Sequence, residues 1–405
     1  MLNVFTEEVL KADVAICGDT IVGVGEYEGK EEIDCTGKYL VPGFIDAHMH
    51  IESCMAAPGE LAKVLAKAGT TTIIADPHEI VNVSGTKGMD YFLKCAAKLL
   101  VNVFFMVPSA VPATDVETNG CGEFLASDMM KYVDNARVLG LGETMRFMEC
   151  CEGEKRMADK LELFAKKHID GHAPGIRGKE VQAYRLAGVE NDHECSTAEE
   201  VLDKLRAGLH IYVREGSGAK NLETLIKTML DAGVCLDRCA FCTDDKHVEE
   251  IRKEGHISTC IRKAIALGVP VAKAYKMGSY QAAEFYGLKN YGAIGAGYRA
   301  DIVFLDDLEQ VRPLDVMKDG CILTEEDYAK DYSVPVPDEL LHTVHVGEVT
   351  KEKIRLSCDG KTDVIQMNPH QIVTTHLVEE VPAENGYFKS DGVYNKICVV
   401  ERHGT

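Results

Sequence analysis

The sequence predicts an α/β protein whose main body is a (β/α)8 TIM-type barrel, with a small β-sandwich-like domain built from the N-terminal and post-barrel segments. Three observations carry this expectation. Eight short apolar runs alternate with helix-period segments between residues 44 and 287. Histidines and carboxylates recur at or just past the C-terminal ends of those runs, where a barrel gathers its chemistry. Alternating, β-like segments flank the whole pattern on both sides.

Taken in order, residues 1–41 contain alternating segments at 13–17 and 20–24, split by the hairpin signal Gly18-Asp19. A β segment this short cannot bury a core alone and needs a partner. After Pro42 the pattern changes. Strands are predicted over 44–50, 70–75, 101–107, 138–142, 169–172, 189–193, 210–213 and 239–243, and helices over 60–67, 87–99, 155–167, 197–207, 221–232 and 247–267. Thr197 to Glu200 read as a capping box, and Gly188 and Gly233 stand where helices should stop. An open doubly wound sheet would alternate similarly, but its strands far from the switch point do not face one spot, whereas those of a closed barrel do. Beyond Gly287, the glycine-rich stretch 292–305 predicts a strand that partners the N-terminal hairpin. The expected division is 1–41 and 288–330 for the small composite domain, 42–287 for the barrel, and 331–405 for the start of a further domain.

A chain of 405 residues with 46% hydrophobic and 27% charged residues is ordinary for a globular protein. Its formal net charge of −21, without a basic stripe, disfavours nucleic acid polymers and anionic membranes as partners, leaving a free base or nucleoside as the only nucleic-acid substrate. No apolar run approaches the roughly 20 residues needed to span a bilayer, and no basic-then-apolar signal opens the chain, so a cytoplasmic location is expected. The 15 cysteines are an odd number scattered through strands and helices, and read as buried thiols in a reducing compartment. Cys239 and Cys242 would face opposite sides of one strand, and no second pair completes a zinc cage.

The chemistry centres on Asp46-Ala-His48-Met-His50, followed by Glu52. Residues two apart on a strand share a face, so His48 and His50 project together towards one strand end. With Glu143, His172, His193 and Asp244 at the ends of later strands, the donors number six, which crowd one cation but suit a pair of divalent ions sharing a bridging carboxylate. Such a pair lowers the pKa of bound water to about 7, and Asp244 could take the proton of the resulting nucleophile and return it to a leaving group.

The motifs Pro42-Gly-Phe-Ile-Asp-Ala-His-Met-His-Ile-Glu-Ser53, Ala75-Asp-Pro-His-Glu-Ile80, Val138-Leu-Gly-Leu-Gly-Glu143, Asp170-Gly-His-Ala-Pro174, Asp192-His-Glu194, Arg214-Glu-Gly-Ser217 and Phe241-Cys-Thr-Asp-Asp245 together resemble the amidohydrolase superfamily and, within it, the bacterial adenine deaminase family. The resemblance covers nearly the whole chain. It implies hydrolytic deamination of adenine in purine salvage at a binuclear manganese or iron site. His48, His50, Glu143, His172, His193 and Asp244 would then be the ligands, with Glu143 bridging and Asp244 doubling as general base, and Glu143 or a nearby histidine would supply the proton to a ring nitrogen. Zinc remains open, because imidazoles and carboxylates suit all three metals. That family starts with a further strand before Leu2 and continues past residues 399–403 into another domain, so a shortened C-terminal domain is expected here. A homo-oligomer is expected as well.

Four residues at the barrel mouth are nominated for substrate contact. His78 either touches substrate or orients a ligand. Arg214 and Glu215 either pair with each other or read the purine edge, and Ser109 has a weaker claim of the same kind. The competing readings are another amide or amine hydrolase of the superfamily, such as a deacetylase, and an inactive fragment that still binds metal. Glu143 on the fourth strand argues against the branch that bridges its metals with a modified lysine.

Overall fold

Eight parallel strands alternate with helices in the computed structural model, which describes residues 1–358, 360–371 and 373–403. They are β1 (Phe44–Met49), β2 (Thr70–Ala75), β3 (Asn102–Val107), β4 (Val138–Thr144), β5 (His168–Gly171), β6 (Asn191–Asp192), β7 (His210–Arg214) and β8 (Cys239–Cys242). Each overlaps a predicted strand. Every residue of β1 and β2 is buried, as expected for parallel strands covered on both faces.

The sheet runs β5-β4-β3-β2-β1 in one hydrogen-bonded ladder and β6-β7-β8 in another. Two seams join them. At β8 and β1 the Asp244 amide donates to the His48 carbonyl at 3.0 Å and the His50 amide donates to the Asp244 carbonyl at 3.0 Å. At β5 and β6 the Glu190 amide donates to the Ile169 carbonyl at 3.0 Å, and the Gly171 amide to Asn191 Oδ1 at 3.0 Å. The parallel sheet therefore curls round on itself as a TIM-type barrel.

Two expectations shift. The sixth strand is shorter than 189–193 because the Glu194 amide turns back onto Asp192 Oδ1 at 2.8 Å, which takes the chain out of the ladder before His193. The helix expected over 247–267 is two helices, Val248–Glu254 and Ile257–Ala266. The break falls at Gly255, with φ of 99°, and at His256, whose imidazole is drawn into the barrel against Asp46, Thr70 and Thr243.

Outside the barrel, Tyr39–Pro42 pairs antiparallel with Ile302–Leu305, which continues to Asp315–Lys318 and Cys321–Ile322. The hairpin of Asp13–Cys17 and Thr20–Gly25 leans on this sheet through the Ile21 amide, which donates to the Tyr298 carbonyl at 2.8 Å. The segment after residue 331 carries the exposed hairpin of Lys361–Gln366 and Thr375–Glu380. It also reaches the barrel, where the Asn221 side-chain amide donates to Gln371 Oε1 at 2.9 Å. All 15 cysteines are free, and among the described residues no helix is long and apolar enough to cross a membrane.

Glycine is required where β4 passes its neighbours. A Cβ at Gly140 would lie 1.9 Å from the His168 backbone oxygen, and one at Gly142 would lie 2.1 Å from Asp76 Oδ2. Gly140→Ala should lower the unfolding free energy by about 1–3 kcal/mol through overpacking against a strand that cannot retreat. Gly218→Ala, whose added methyl meets open space, should change it by less than about 0.5 kcal/mol. Denaturant unfolding of the two variants beside the parent checks both.

Candidate metal centre

At the C-terminal end of the barrel, β1 delivers His48 and the residue just beyond it delivers His50, both almost wholly buried. Their Nε2 atoms lie 3.2 Å apart. Glu143, from β4, places Oε1 at 2.8 Å from each of them. Asp244, just past β8, places Oδ1 at 3.0 Å from His50 Nε2 and 3.5 Å from His48 Nε2. These four side chains converge as one group.

A second group shares Glu143 and adds His172 and His193. His172 Nδ1 lies 2.6 Å from Glu143 Oε2, and His193 Nε2 lies 4.0 Å from Glu143 Oε1. The His193 ring stacks on that of His48, with centroids 4.0 Å apart. All six residues expected as ligands from the sequence are thus brought to one spot.

The donor set fits divalent cations on its own terms. Glu143 Oε1, His172 Nδ1 and His193 Nε2 are buried and, despite the close approaches among them, form no well-aligned hydrogen bond among the described residues. Buried polar atoms left unsatisfied are rare and call for an explanation. Nitrogen and oxygen ligands about 2.0–2.2 Å from a zinc-sized cation stand about 3.3 Å from one another, close to the separations in the first group. His50 Nδ1 donates to the Asp76 carbonyl at 2.8 Å, which fixes the tautomer and leaves Nε2 free as a ligand.

Charge sorts itself accordingly. Burial by itself would push His48 down, but Glu143 and Asp244 beside it win and raise it to about 10. His50 is raised in the same way by Glu143, Glu79 and Asp244. Burial opposes ionisation of Glu143 and Asp244, yet the surrounding histidines hold both well below the usual carboxylate range. His193 is pushed down by burial and by the neighbouring His48. Protons on His48 and His50 therefore occupy the role that cations would take over.

Asp244 adopts a left-handed backbone conformation, with φ of 57°, while its amide and carbonyl both bond to β1. Its Oδ2 accepts from Arg214 Nη1 at 3.0 Å, which leaves Oδ1 facing the histidines. Arg214 is fully buried, and also donates to Glu194 and, at 3.0 Å, to Asn221 Oδ1. Burial and the flanking carboxylates Glu194 and Asp244 act on it in opposite directions, and the carboxylates raise it above the ordinary guanidinium value.

The nominated contact residues divide. His78 sits edge-on to His50, with centroids 4.6 Å apart, and remains partly exposed. The Ser109 hydroxyl donates to the Glu143 carbonyl. Arg214 and Glu215 do not pair with each other: consecutive strand residues face opposite ways, and Glu215 is held by Lys263 at 2.6 Å. Three carboxylates near the cluster had escaped the sequence reading of the site. Glu194 Oε1 lies 3.5 Å from His193 Nε2, Asp76 Oδ2 accepts from the Glu143 amide at 2.8 Å, and Glu79 Oε2 lies 3.6 Å from His50 Nδ1. Glu194 and Glu79 adjoin nominated histidines in sequence and Asp76 lies two residues before His78, but closeness on a turn does not show which way a side chain points. Asp46 and Glu52, expected near the mouth, serve backbone amides: Asp46 accepts from His48 and Thr243, both at 3.1 Å, and Glu52 from Ile80 at 3.0 Å.

These shifts give the metal-free protein a pH signature. His48, raised from 6.5 to about 10, contributes stability that is fully present below pH 6.5 and is lost as pH rises through about 10. Glu143 and Asp244, depressed from 4.5 and 3.8, contribute stability above those values that is lost on acidification. Thermal scans of chelator-treated protein should therefore peak in mildly acidic buffer and fall towards pH 10, with the alkaline fall removed by added divalent cation.

The model of the amidohydrolase family matches residues 39–324. Over the whole chain, the sequence is 45% identical to an adenine deaminase of Desulfitobacterium hafniense, covering 70% of that protein. It is 43% identical to an adenine deaminase of Clostridium acetobutylicum, with all of this chain and 71% of that protein aligned. Among solved structures, the atrazine chlorohydrolase of Arthrobacter aurescens in complex with zinc superposes with a TM-score of 0.58 at 16% identity, over 80% of this chain and 92% of that one. A β-aspartyl dipeptidase of Fervidobacterium islandicum gives a TM-score of 0.56 at 18% identity, over 80% of this chain and 95% of that one, a likeness of fold alone. With a family model matching residues 39–324 and relatives named adenine deaminase aligned along all of this chain, the chain belongs to the amidohydrolase family.

Proposed function

We propose that the chain hydrolyses adenine to hypoxanthine and ammonia at a centre of two divalent cations held by His48, His50, Glu143, His172, His193 and Asp244. The observation that carries this reading is Glu143, a single buried carboxylate with Oε1 against His48 and His50 and Oε2 against His172. The relatives named adenine deaminase, 45% and 43% identical along the entire chain, supply the substrate. Manganese or ferrous iron is the proposed occupant, with zinc the alternative. Such cations lower the pKa of water towards about 7 and so supply a nucleophile at neutral pH.

The protein's own groups then handle protons and position. Arg214 holds Asp244 Oδ2 at 3.0 Å and so orients the carboxylate with Oδ1 towards the cluster, where it can accept the proton of the attacking water. Addition of water oxygen at the purine C6, with a ring nitrogen taking a proton from Glu143 or a nearby histidine, gives a tetrahedral carbon bearing a hydroxyl and the amino group. As Asp244 returns its proton to the amino group the C6–N bond breaks, ammonia leaves, and the hydroxyl gives its proton back to the group that protonated the ring, leaving the carbonyl of hypoxanthine. His78, partly exposed beside His50, is the proposed purine contact, and Ser109 holds the Glu143 backbone from beneath. Arg214 acts through Asp244, and Glu215, paired with Lys263, supports the barrel wall.

The same reading places the protein in the cytoplasm as a homo-oligomer in purine salvage, acting on a small molecule; a formal net charge of −21 disfavours a nucleic acid polymer or an anionic membrane as partner. Residues 1–41 and 288–330 would form the small composite domain beside the barrel of 42–287, with 331–405 opening a further domain. The pairing of Tyr39–Pro42 with Ile302–Leu305 supports that division.

The test is an ultraviolet assay of adenine loss and hypoxanthine formation by metal-stripped protein reloaded with manganese or ferrous iron. Turnover should depend on the metal, and Asp244→Asn should reduce kcat by about 10²–10⁴-fold. A fully loaded protein without turnover of adenine would sink the substrate assignment.

A further inference from the structure

A buried ion pair behind the second histidine group has no part in the chemistry above. Lys204 projects from the helix Ala198–Arg206, and its ammonium and the Asp192 carboxylate are both fully buried. Lys204 Nζ donates to Asp192 Oδ1 at 2.9 Å and to the Ala173 carbonyl at 2.7 Å. Asp192 Oδ2 accepts from the Ala173 amide at 2.9 Å, and Oδ1 accepts from the Glu194 amide at 2.8 Å. The Ala173 residue is therefore gripped at both ends, by the carboxylate at its N–H and by the ammonium at its C=O. Ala173 follows His172 directly, and Glu194 follows His193 directly. The same helix holds this loop a second time, through Glu200, which accepts from the Gly175 amide.

Resting on the two-cation reading, we propose that Lys204 and Asp192 are a positioning pair. They fix where the main chain leaves His172 and His193, and so build the second cation site without touching it. A pair this deep is a poor source of net stability, since desolvation of the two charges offsets their attraction, and an apolar replacement would do as well. What an apolar pair could not do is bind two backbone amides and a carbonyl at once. The first group, His48, His50, Glu143 and Asp244, is set by β1, β4 and β8 and takes no hydrogen bond from the pair. Loss of the pair should therefore weaken one cation and spare the other.

The experiment compares the parent with Lys204→Met, Lys204→Arg and Lys318→Met, the last removing another buried lysine, 3.1 Å from Asp301 in the outer sheet. Manganese titration should show the second ion of Lys204→Met bound about 10–100-fold more weakly, with the first little changed. The electron paramagnetic spectrum should pass from an exchange-coupled pair to an isolated ion. Lys204→Arg, which keeps charge and donors, should restore the pair, and Lys318→Met should retain both ions. In metal-free protein, hydrogen exchange at the Ala173 and Glu194 amides should quicken in Lys204→Met alone. Retention of both ions by Lys204→Met, unchanged exchange at those amides, or equal loss of the second ion in Lys318→Met would overturn the proposal. If the parent itself binds a single ion, the two-cation reading fails, and amide exchange decides the positioning role alone. Should Lys204→Met not fold, Lys204→Gln carries the same measurements, since it keeps a donor for the Ala173 carbonyl without the charge.

Discussion

Glu143 is the point on which the structure turns. A carboxylate buried among imidazoles is costly to desolvate, and it persists only where positive charge meets it from several directions. Here His48 and His50 approach one oxygen at 2.8 Å, and His172 approaches the other at 2.6 Å. No single element could supply those directions. The histidines come from the ends of β1 and β5 and Glu143 from β4, so the charge can be buried only if the sheet curls and closes.

Closure in turn depends on buried aspartates that tie the ends of separate strands by their backbones. Asp46 accepts from the amides of His48 and Thr243, and so locks β1 to the residue before Asp244. Asp76 accepts from the Glu143 amide and joins the end of β2 to β4. Asp192 does the same between the loops after β5 and β6. Each sits one or two residues from a member of the cluster, or directly bonded to one. Each of these carboxylates thus spends at least one acceptor on an N–H group left over where strands end, which is the ordinary need of buried backbone. Geometry of the reactive groups follows as a consequence.

Arg214 shows how the same barrel sorts polar residues by face. Its guanidinium joins Asp244, Glu194 and Asn221 inside, and Asn221 passes the connection on to Gln371 in the C-terminal segment. Its neighbour Glu215 points to the helical layer, against Lys263. Adjacent residues with equal claims on paper are separated by the alternation of the strand. One conditions the proton acceptor, and the other braces the wall.

The eight strands and the six converging side chains were legible in the sequence because apolar runs report burial, and because ligand-type residues at strand ends meet whenever such strands close. The helix over 247–267 was misread for a reason that lies outside the helix: His256 is satisfied by Asp46, Thr70 and Thr243, residues distant in the chain, and Gly255 gives way to let it in. The same holds for Glu194, Asp76 and the Lys204–Asp192 pair, whose partners lie on other strands and helices. Local spacing thus determined the fold class and the donor set. Which carboxylates face the site, which neutralise an arginine or lysine and which hold only backbone was decided by the tertiary structure, because hydrogen bonds between distant segments depend on direction and have no period in the sequence.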